Sequence, residues 1–535
     1  MSDKAYHLME VSGDSNENSP FHDAVMDSSG RSDVGMLEKG DKGDQINAEA
    51  NPNELVPGRY SFIDALGIVC GIIIGSGIFS SPGLALERAG SPGLTLLAWA
   101  MAGGLVILTA TCYMELGMMM PNAGGDFEYL KRAYGERAGF AFAWFNFWIS
   151  KTGSQAIIAT IFGHYVNAIV NNGGTAGLGY MYGGEETVFS KLAAAAALVF
   201  ITLLNCVSVK ESAILQNVLT ACKLGLVITL FFAAIGFVSS PSTSSETTEN
   251  LSNNLSAEHS FKGSNNFFSF CTALVACLWS FDGWADLNFM MEELANPNSL
   301  PKIIATALTV VTIAYITCNV AYMMLLSQDE MTSSKAIGTD FGTVMGGGDS
   351  RSFWPIFISC GVALSTIGSV HGSIMTGGRA FFAVARGGKA PVLLTKLNRI
   401  GSPYGALLAQ GAWGMVLLML PGSSFSTLLD YFGPASWFFY SLGSISVIVL
   451  RNKEPELERP FMIPFYPLPP ILVVVIAISI ITSSMIASPF YVVLAFGFIF
   501  LSVPFHMAVF EPDSDLYYYA NRMRCCFGVD ELRDA

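Results

Sequence analysis

The chain has 535 residues, 52% hydrophobic and only 13% charged, with a mean hydropathy of +0.47 and a formal net charge of −14. A soluble globular chain carries about 25% charged residues, so that class is excluded. The apolar residues fall in blocks of about 20, the length that crosses a bilayer as a helix, and the expected surroundings are lipid, with no nucleic-acid partner.

Residues 1–57 hold 12 acidic and 4 basic residues and few large apolar ones. Such a composition cannot offset the entropy of ordering. It reads as a disordered acidic cytoplasmic tail without a signal-peptide core, either a solvated leader or a regulatory, phosphorylated segment. The apolar multi-span region covers 58–510, and 511–535 is a second cytoplasmic tail. Twelve spans are predicted, at 62–86, 94–118, 139–168, 191–209, 214–238, 267–294, 302–327, 353–386, 403–421, 424–450, 467–487 and 489–510. Asp126 to Tyr134 reads as a short amphipathic interfacial helix between the second and third.

Two spans contain helix breaks. In the first, Gly75-Ser76-Gly77 sits in a run from Leu66 to Leu86 with five glycines. In the sixth, Phe281-Asp282-Gly283-Trp284-Ala285-Asp286 interrupts the pattern. Freed backbone groups at membrane depth are tolerated where they line a cavity, and paired breaks in two halves point to a substrate site. The breaks open spans 1–5 and 6–10, so the predicted fold is an all-α membrane protein of 12 transmembrane helices with a five-plus-five inverted repeat. Basic residues set the orientation: one set of loops holds Lys131, Arg132, Arg137, Lys210, Lys302, Arg386, Lys389, Lys396, Arg399, Arg451, Lys453 and Arg459 and is cytoplasmic, which puts both termini inside. The 239–266 loop is then outside, where Asn250 and Asn254 begin glycosylation sequons.

Unwinding at Gly75-Ser76-Gly77 would aim backbone N–H groups at an anion such as a substrate carboxylate; close helix packing through Gly67, Gly71 and Gly75 is the other reading. Asp282 at mid-membrane costs roughly 2.5–3.5 kcal/mol on insertion scales. It faces either a cationic substrate group or a structural lysine such as Lys151 or Lys223. Asp286 reads as structural, and Glu292 and Glu293 as packing or gate residues. Trp279, three residues before Asp282, is placed to line the same cavity. Lys223 is the sole charge of span 5, and His371 in span 8 is either a proton carrier or a satisfied buried imidazole. The ten cysteines suggest neither a structural disulfide nor a metal site. Cys525 and Cys526 are palmitoylation candidates or inert thiols. No nucleophile–base or cofactor pattern appears, so no enzyme, cofactor or metal is expected.

The stretch Gly71-Ile72-Ile73-Ile74-Gly75-Ser76-Gly77-Ile78-Phe79 resembles the first-span signature of the amino acid–polyamine–organocation superfamily. Gly283-Trp284-Ala285-Asp286-Leu287-Asn288-Phe289-Met290-Met291-Glu292-Glu293, with Asn296-Pro297 and Leu300-Pro301, is similar to the L-type amino acid transporters, light chains of heteromeric transporters. Trp279 to Trp284 most resembles the branch carrying cystine and dibasic amino acids. The resemblance implies a LeuT-like bundle that exchanges or facilitates amino acids at the plasma membrane without sodium, working by alternating access on cationic or large neutral substrates. It implies a carboxylate site at Ser76 and Gly77 beside Gly75, and an α-amino site at carbonyls of Ile73 and around Trp279 and Ser280. Asp282 would then face a cationic side chain, and Lys223 would stand in for a sodium ion. Members that bind a heavy chain carry a cysteine between spans 3 and 4. Asn171 to Ser190 has none, so no disulfide-linked partner is expected. His371 stands where the family usually has asparagine. The rival expectations are a polyamine carrier of the same superfamily and a transport-dead nutrient sensor.

Overall fold

A computed structural model describes residues 55–170, 188–207, 210–240, 245–256, 258–262, 266–334, 336–419, 425–512 and 514. Nearly all of the acidic N-terminal tail, the 171–187 part of the cysteine-free loop and Cys525–Cys526 lie outside them. The regular elements among the described residues are all helices, apart from one isolated bridge, Tyr60 to Leu294.

The first span is broken as its glycines suggest. Helix α1 (Phe62–Ile73) starts at a capping box in which Ser61 and Asp64 satisfy each other's backbone N–H. It stops at Ile74, and α2 (Gly77–Ala89) continues after a 43° bend. Helix α3 (Pro92–Met119) begins with proline in its first turn, where no N–H is needed. Helix α4 (Asp126–Tyr134) is the expected amphipathic element. Its acids Asp126 and Glu128 lie in the first turn and its bases Lys131 and Arg132 in the last, each complementing the helix dipole.

The third predicted span is one long helical path in three parts: α5 (Glu136–Phe145), a π turn over Asn146–Ser150, and α6 (Lys151–Val170). Then come α7 (Val188–Val207), α8 (Lys210–Val238) and α9 (Ser245–Leu255). Helix α9 lies in the predicted outer loop and has no counterpart among the expected elements.

The sixth span departs most from expectation. Helix α10 (Phe267–Ser280) ends abruptly, residues 281–285 form turns, and Asp286–Glu293 is a 3-10 segment rather than resumed α-helix. Gly283 sits at φ +94°, a conformation that a side chain would strain. The rest is α11 (Leu300–Leu325), two short helices α12 (Gln328–Ser333) and α13 (Ile337–Met345), the 34-residue α14 (Phe353–Arg386), α15 (Tyr404–Met419), α16 (Phe425–Lys453), α17 (Leu468–Ala487) and α18 (Pro489–Phe510).

Eight of these helices are long and apolar enough to cross a membrane, nine if the bent α1–α2 pair is one span. The π turn divides the third predicted span, and the turns leave α10 as a helix of 14 residues. The chain is a multi-pass integral membrane protein. Its outward faces carry large apolar side chains such as Phe200, Phe232, Ile478, Val493 and Phe500. Helix α14 packs on α1, α6, α8 and α15, and α2 packs on α10, so the two broken spans are neighbours. At Gly77 a Cβ would fall 2.6 Å from Ser280 Oγ. Only glycine lets the two breaks approach this closely.

Candidate functional site

At the first break the ladder lapses. The N–H of Gly75 bonds to Ile73 O at 2.8 Å, and Phe79 N–H to Ser76 O at 3.0 Å. The N–H groups of Ser76 and Gly77 donate to nothing among the described residues, and the buried Ser76 hydroxyl has no partner there. Helix starts leave such donors unpaired unless a cap, water or ligand meets them. Ser76 adopts helical angles and supplies no side-chain cap. Three donors are therefore left without a partner among the described residues at the break where the sequence suggested an anion.

The second break comes to the first through a residue that no local pattern marks. Tyr315 of α11 places its hydroxyl 2.6 Å from Ile73 O and 2.7 Å from Ser280 O. Ser280 O ends α10 and accepts no backbone N–H among the described residues, whereas Ile73 O also accepts from Gly75 N–H. One hydroxyl proton serves two acceptors, so Ser280 O in particular retains capacity for a further donor such as an ammonium. Trp99 and Phe281 pack on the Tyr315 ring, with centroids 5.4 and 5.0 Å away.

Asp282 is half-buried and accepts a 2.9 Å hydrogen bond from the Tyr440 hydroxyl of α16. Trp279 and Asp282 do line one cavity, together with Trp284 and Trp437. A second, small cavity, of about 20 Å³, joins Asp282 to Asp126, Asn146, Ser150, Lys151 and Asp286. Neither lysine suggested as an alternative partner pairs with Asp282. Lys151 bonds to Asp286, which also accepts from Thr376 at 2.7 Å. Lys223 donates to Gly71 O of α1 and, at 2.9 Å, to Ser369 Oγ of α14. Lys223 thus ties the first span to the eighth predicted one. Asp126, at the first turn of α4, is held by the Tyr113 hydroxyl.

His371 is fully buried, with Nδ1 2.8 Å from Gln216 Oε1 and Nε2 3.1 Å from Ser212 Oγ. Its surroundings match the satisfied imidazole. Glu292 and Glu293 take different roles. Glu293 is buried in a bidentate pair with Arg379, at 2.6 and 3.3 Å, and also accepts from Arg59 at 3.1 Å. Tyr60 adds its hydroxyl to Arg379 at 3.0 Å, and its backbone pairs with Glu293 and Ala295. This network fastens the strap before α1 to the end of the broken sixth segment. Glu292 instead binds Arg386 and, at 2.8 Å, the N–H of Ala123.

Of the two sequon asparagines, Asn254 is buried and donates to Met323 O and Leu326 O at 3.0 and 2.7 Å, capping α11. That nitrogen is not free for a glycan in the folded chain. Asn250 is half-buried, with a longer 3.4 Å bond to Leu325 O.

Tyr315, Tyr440 and Arg379 are the residues sequence reasoning missed. Tyrosines in apolar helices are common, and only their hydroxyl contacts distinguish these two. Arg379, an arginine seven residues inside the end of α14, carries a recognisable signal: a buried charge requires a partner.

Residues 60–510 match the family model described as amino acid permease. The mouse b(0,+)-type amino acid transporter 1 is 32% identical over 436 residues, covering 81% of this chain and 83% of the relative. The human form is 31% identical over 462 residues, covering 85% and 88%. The human large neutral amino acids transporter small subunit 2 is 34% identical over 414 residues, covering 76% and 72%. The chain belongs to the amino acid permease family.

Proposed function

We propose that this permease carries amino acids across a membrane, independently of sodium and by alternating access, with cationic and large neutral amino acids as substrates. The fold we assign is the twelve-span, LeuT-like five-plus-five inverted repeat, with α17 and α18 appended. Helical segments lie over each predicted span, and breaks open the first and sixth.

The observation that carries the reading is the meeting of the two breaks at one tyrosine hydroxyl. The unpaired donors at Ser76 and Gly77 suit the substrate carboxylate, with Gly75 giving backbone clearance. The carbonyl of Ser280, beside Trp279, suits the α-ammonium, which would share it with the Tyr315 hydroxyl, while Ile73 O, which also accepts from Gly75 N–H, lies next to it through the same hydroxyl. Asp282 suits a cationic side chain, since its partner is a neutral hydroxyl. Lys223 already puts a compact positive charge between α1, α8 and α14, which would repel a sodium ion there.

In this reading both termini are cytoplasmic, the membrane is the plasma membrane, and the Glu293–Arg379 network closes the cytoplasmic side. Asn250 is the better glycosylation candidate. A disulfide-linked heavy chain is not expected, and non-reducing gels of native membranes should show a band at monomer mass. The deciding experiment is uptake by the purified protein in liposomes against a panel of amino acids and polyamines, with sodium or choline outside. Uptake of arginine and leucine in choline supports the reading. Polyamine uptake alone, or strict sodium dependence, overturns it.

A further inference from the structure

The cavity beside Asp282 holds more charge than a single cationic side chain requires. Three carboxylates line it, Asp126, Asp282 and Asp286, and one cation, Lys151. Asp126 is committed to Tyr113 at the first turn of α4. Asp286 is committed to Lys151 and Thr376. Asp282 accepts from the neutral Tyr440 hydroxyl.

Lys151 is placed with unusual care. The π turn over Asn146–Ser150 immediately precedes it, and both Asn146 and Ser150 line the same cavity. Such π turns inside helices recur at functional sites. The lysine is 7% exposed, its ammonium lies 5.8 Å over the Phe289 ring, and it donates to Asp286. An ammonium has three donors on a flexible four-carbon stem. Lys151 shares that cavity with Asp282, whose carboxylate accepts from a neutral hydroxyl and, unlike Asp126, does not lie in the first turn of a helix.

We propose that the Lys151–Asp286 pair determines specificity: Asp286 holds the tethered ammonium of Lys151 away from Asp282 and so keeps Asp282 open to a guest guanidinium or primary ammonium. Lys151 and the side chain of a cationic substrate are competing ligands for the same carboxylate. Asp286 acts through Lys151 and is a positioning residue. Taking away its charge releases the lysine to Asp282, which is then neutralised from within. A neutral side chain, which needs no counter-charge, keeps its place. The inference rests on the reading of the chain as an amino acid carrier.

The test compares wild type, Asp286→Asn, Lys151→Met and the double variant in proteoliposomes, reading the ratio of arginine to leucine uptake and the KM of each. Asp286→Asn is expected to lower the ratio by about tenfold or more, through the KM for arginine rather than that for leucine. The double variant, which has no tethered cation to release, is expected to regain the wild-type ratio. Lys151→Met alone is expected to leave the ratio at or above wild type. A purely structural pair would lose both substrates together, and no second substitution would restore the ratio. Should Asp286→Asn fail to fold, the double variant and Lys151→Met still decide. A ratio below wild type in either, or an unchanged ratio in a folded Asp286→Asn, overturns the inference. A wild type that takes up no amino acid overturns the carrier reading itself.

Discussion

Replacing Asp282 by asparagine removes one charge and almost nothing else. The amide oxygen is isosteric with Asp282 Oδ1 and still accepts from Tyr440 at the present 2.9 Å separation. The Trp279, Trp284 and Trp437 walls are untouched. What is lost is attraction for a guest cation. At about 4 Å and an effective dielectric of about 20, two unit charges attract by about 4 kcal/mol. Part of this is spent on desolvating the guanidinium, and truncating one member of a desolvated charge pair costs about 2–5 kcal/mol. The lower bound, about 2 kcal/mol, is roughly a 30-fold weaker arginine interaction. Leucine has no charge to lose and should change far less. The assay is radiolabelled arginine and leucine uptake at matched protein levels in liposomes, with KM and maximal rate determined separately. The expected result is a raised arginine KM against a nearly constant leucine KM. Equal loss of both substrates in correctly folded protein would refute the reasoning and make Asp282 a structural acid.

Three further outcomes follow from the contacts. Lys223→Ala removes the ammonium that ties Gly71 O to Ser369; uptake should fall sharply, while wild-type uptake should be the same in sodium and in choline. Glu293→Gln strips the charge shared by Arg379 and Arg59. Breaking a buried pair from one side costs about 3–5 kcal/mol, so the melting midpoint in detergent should drop, and an unchanged midpoint would show the network to be slack. Outside the membrane-spanning segments, hydrogen bonding to Arg137 holds the Glu511 carboxyl down to about 2 from its ordinary 4.5. A depressed acid stabilises the folded state above its unfolded value and loses that contribution as pH falls toward the folded one. The stability gap between wild type and Glu511→Gln should therefore be full at pH 6 and narrow below 4.5, and it should be small because the pair is exposed.

Several features were legible in the sequence because their causes are local. Glycine at 75 and 77 weakens the helix wherever the segment lies, so the first break could be placed within a residue or two. The polar and apolar alternation of residues 126–134 needs only a period of 3.6 to become α4. Asp282 was suspect because an acid in an apolar run is costly in any fold. The family signature likewise lies in short contiguous stretches.

The tertiary structure decided which groups meet. Asp282 and Asp286 are four residues apart, and a continuous helix would stack them on one face. The chain instead turns at Gly283 and resumes as a 3-10 segment, so Asp286 reaches Lys151 while Asp282 reaches Tyr440. Neither partner could be chosen from spacing, because Lys151 lies 135 residues from Asp286 and Tyr440 158 from Asp282. The same holds for Tyr315, which spans 242 residues to Ile73. Composition and local propensity determine that the chain enters a membrane as helices and where those helices fail. The partners of the freed carbonyls and buried charges depend on helix packing, because a buried polar group takes whichever partner the fold brings within about 3 Å.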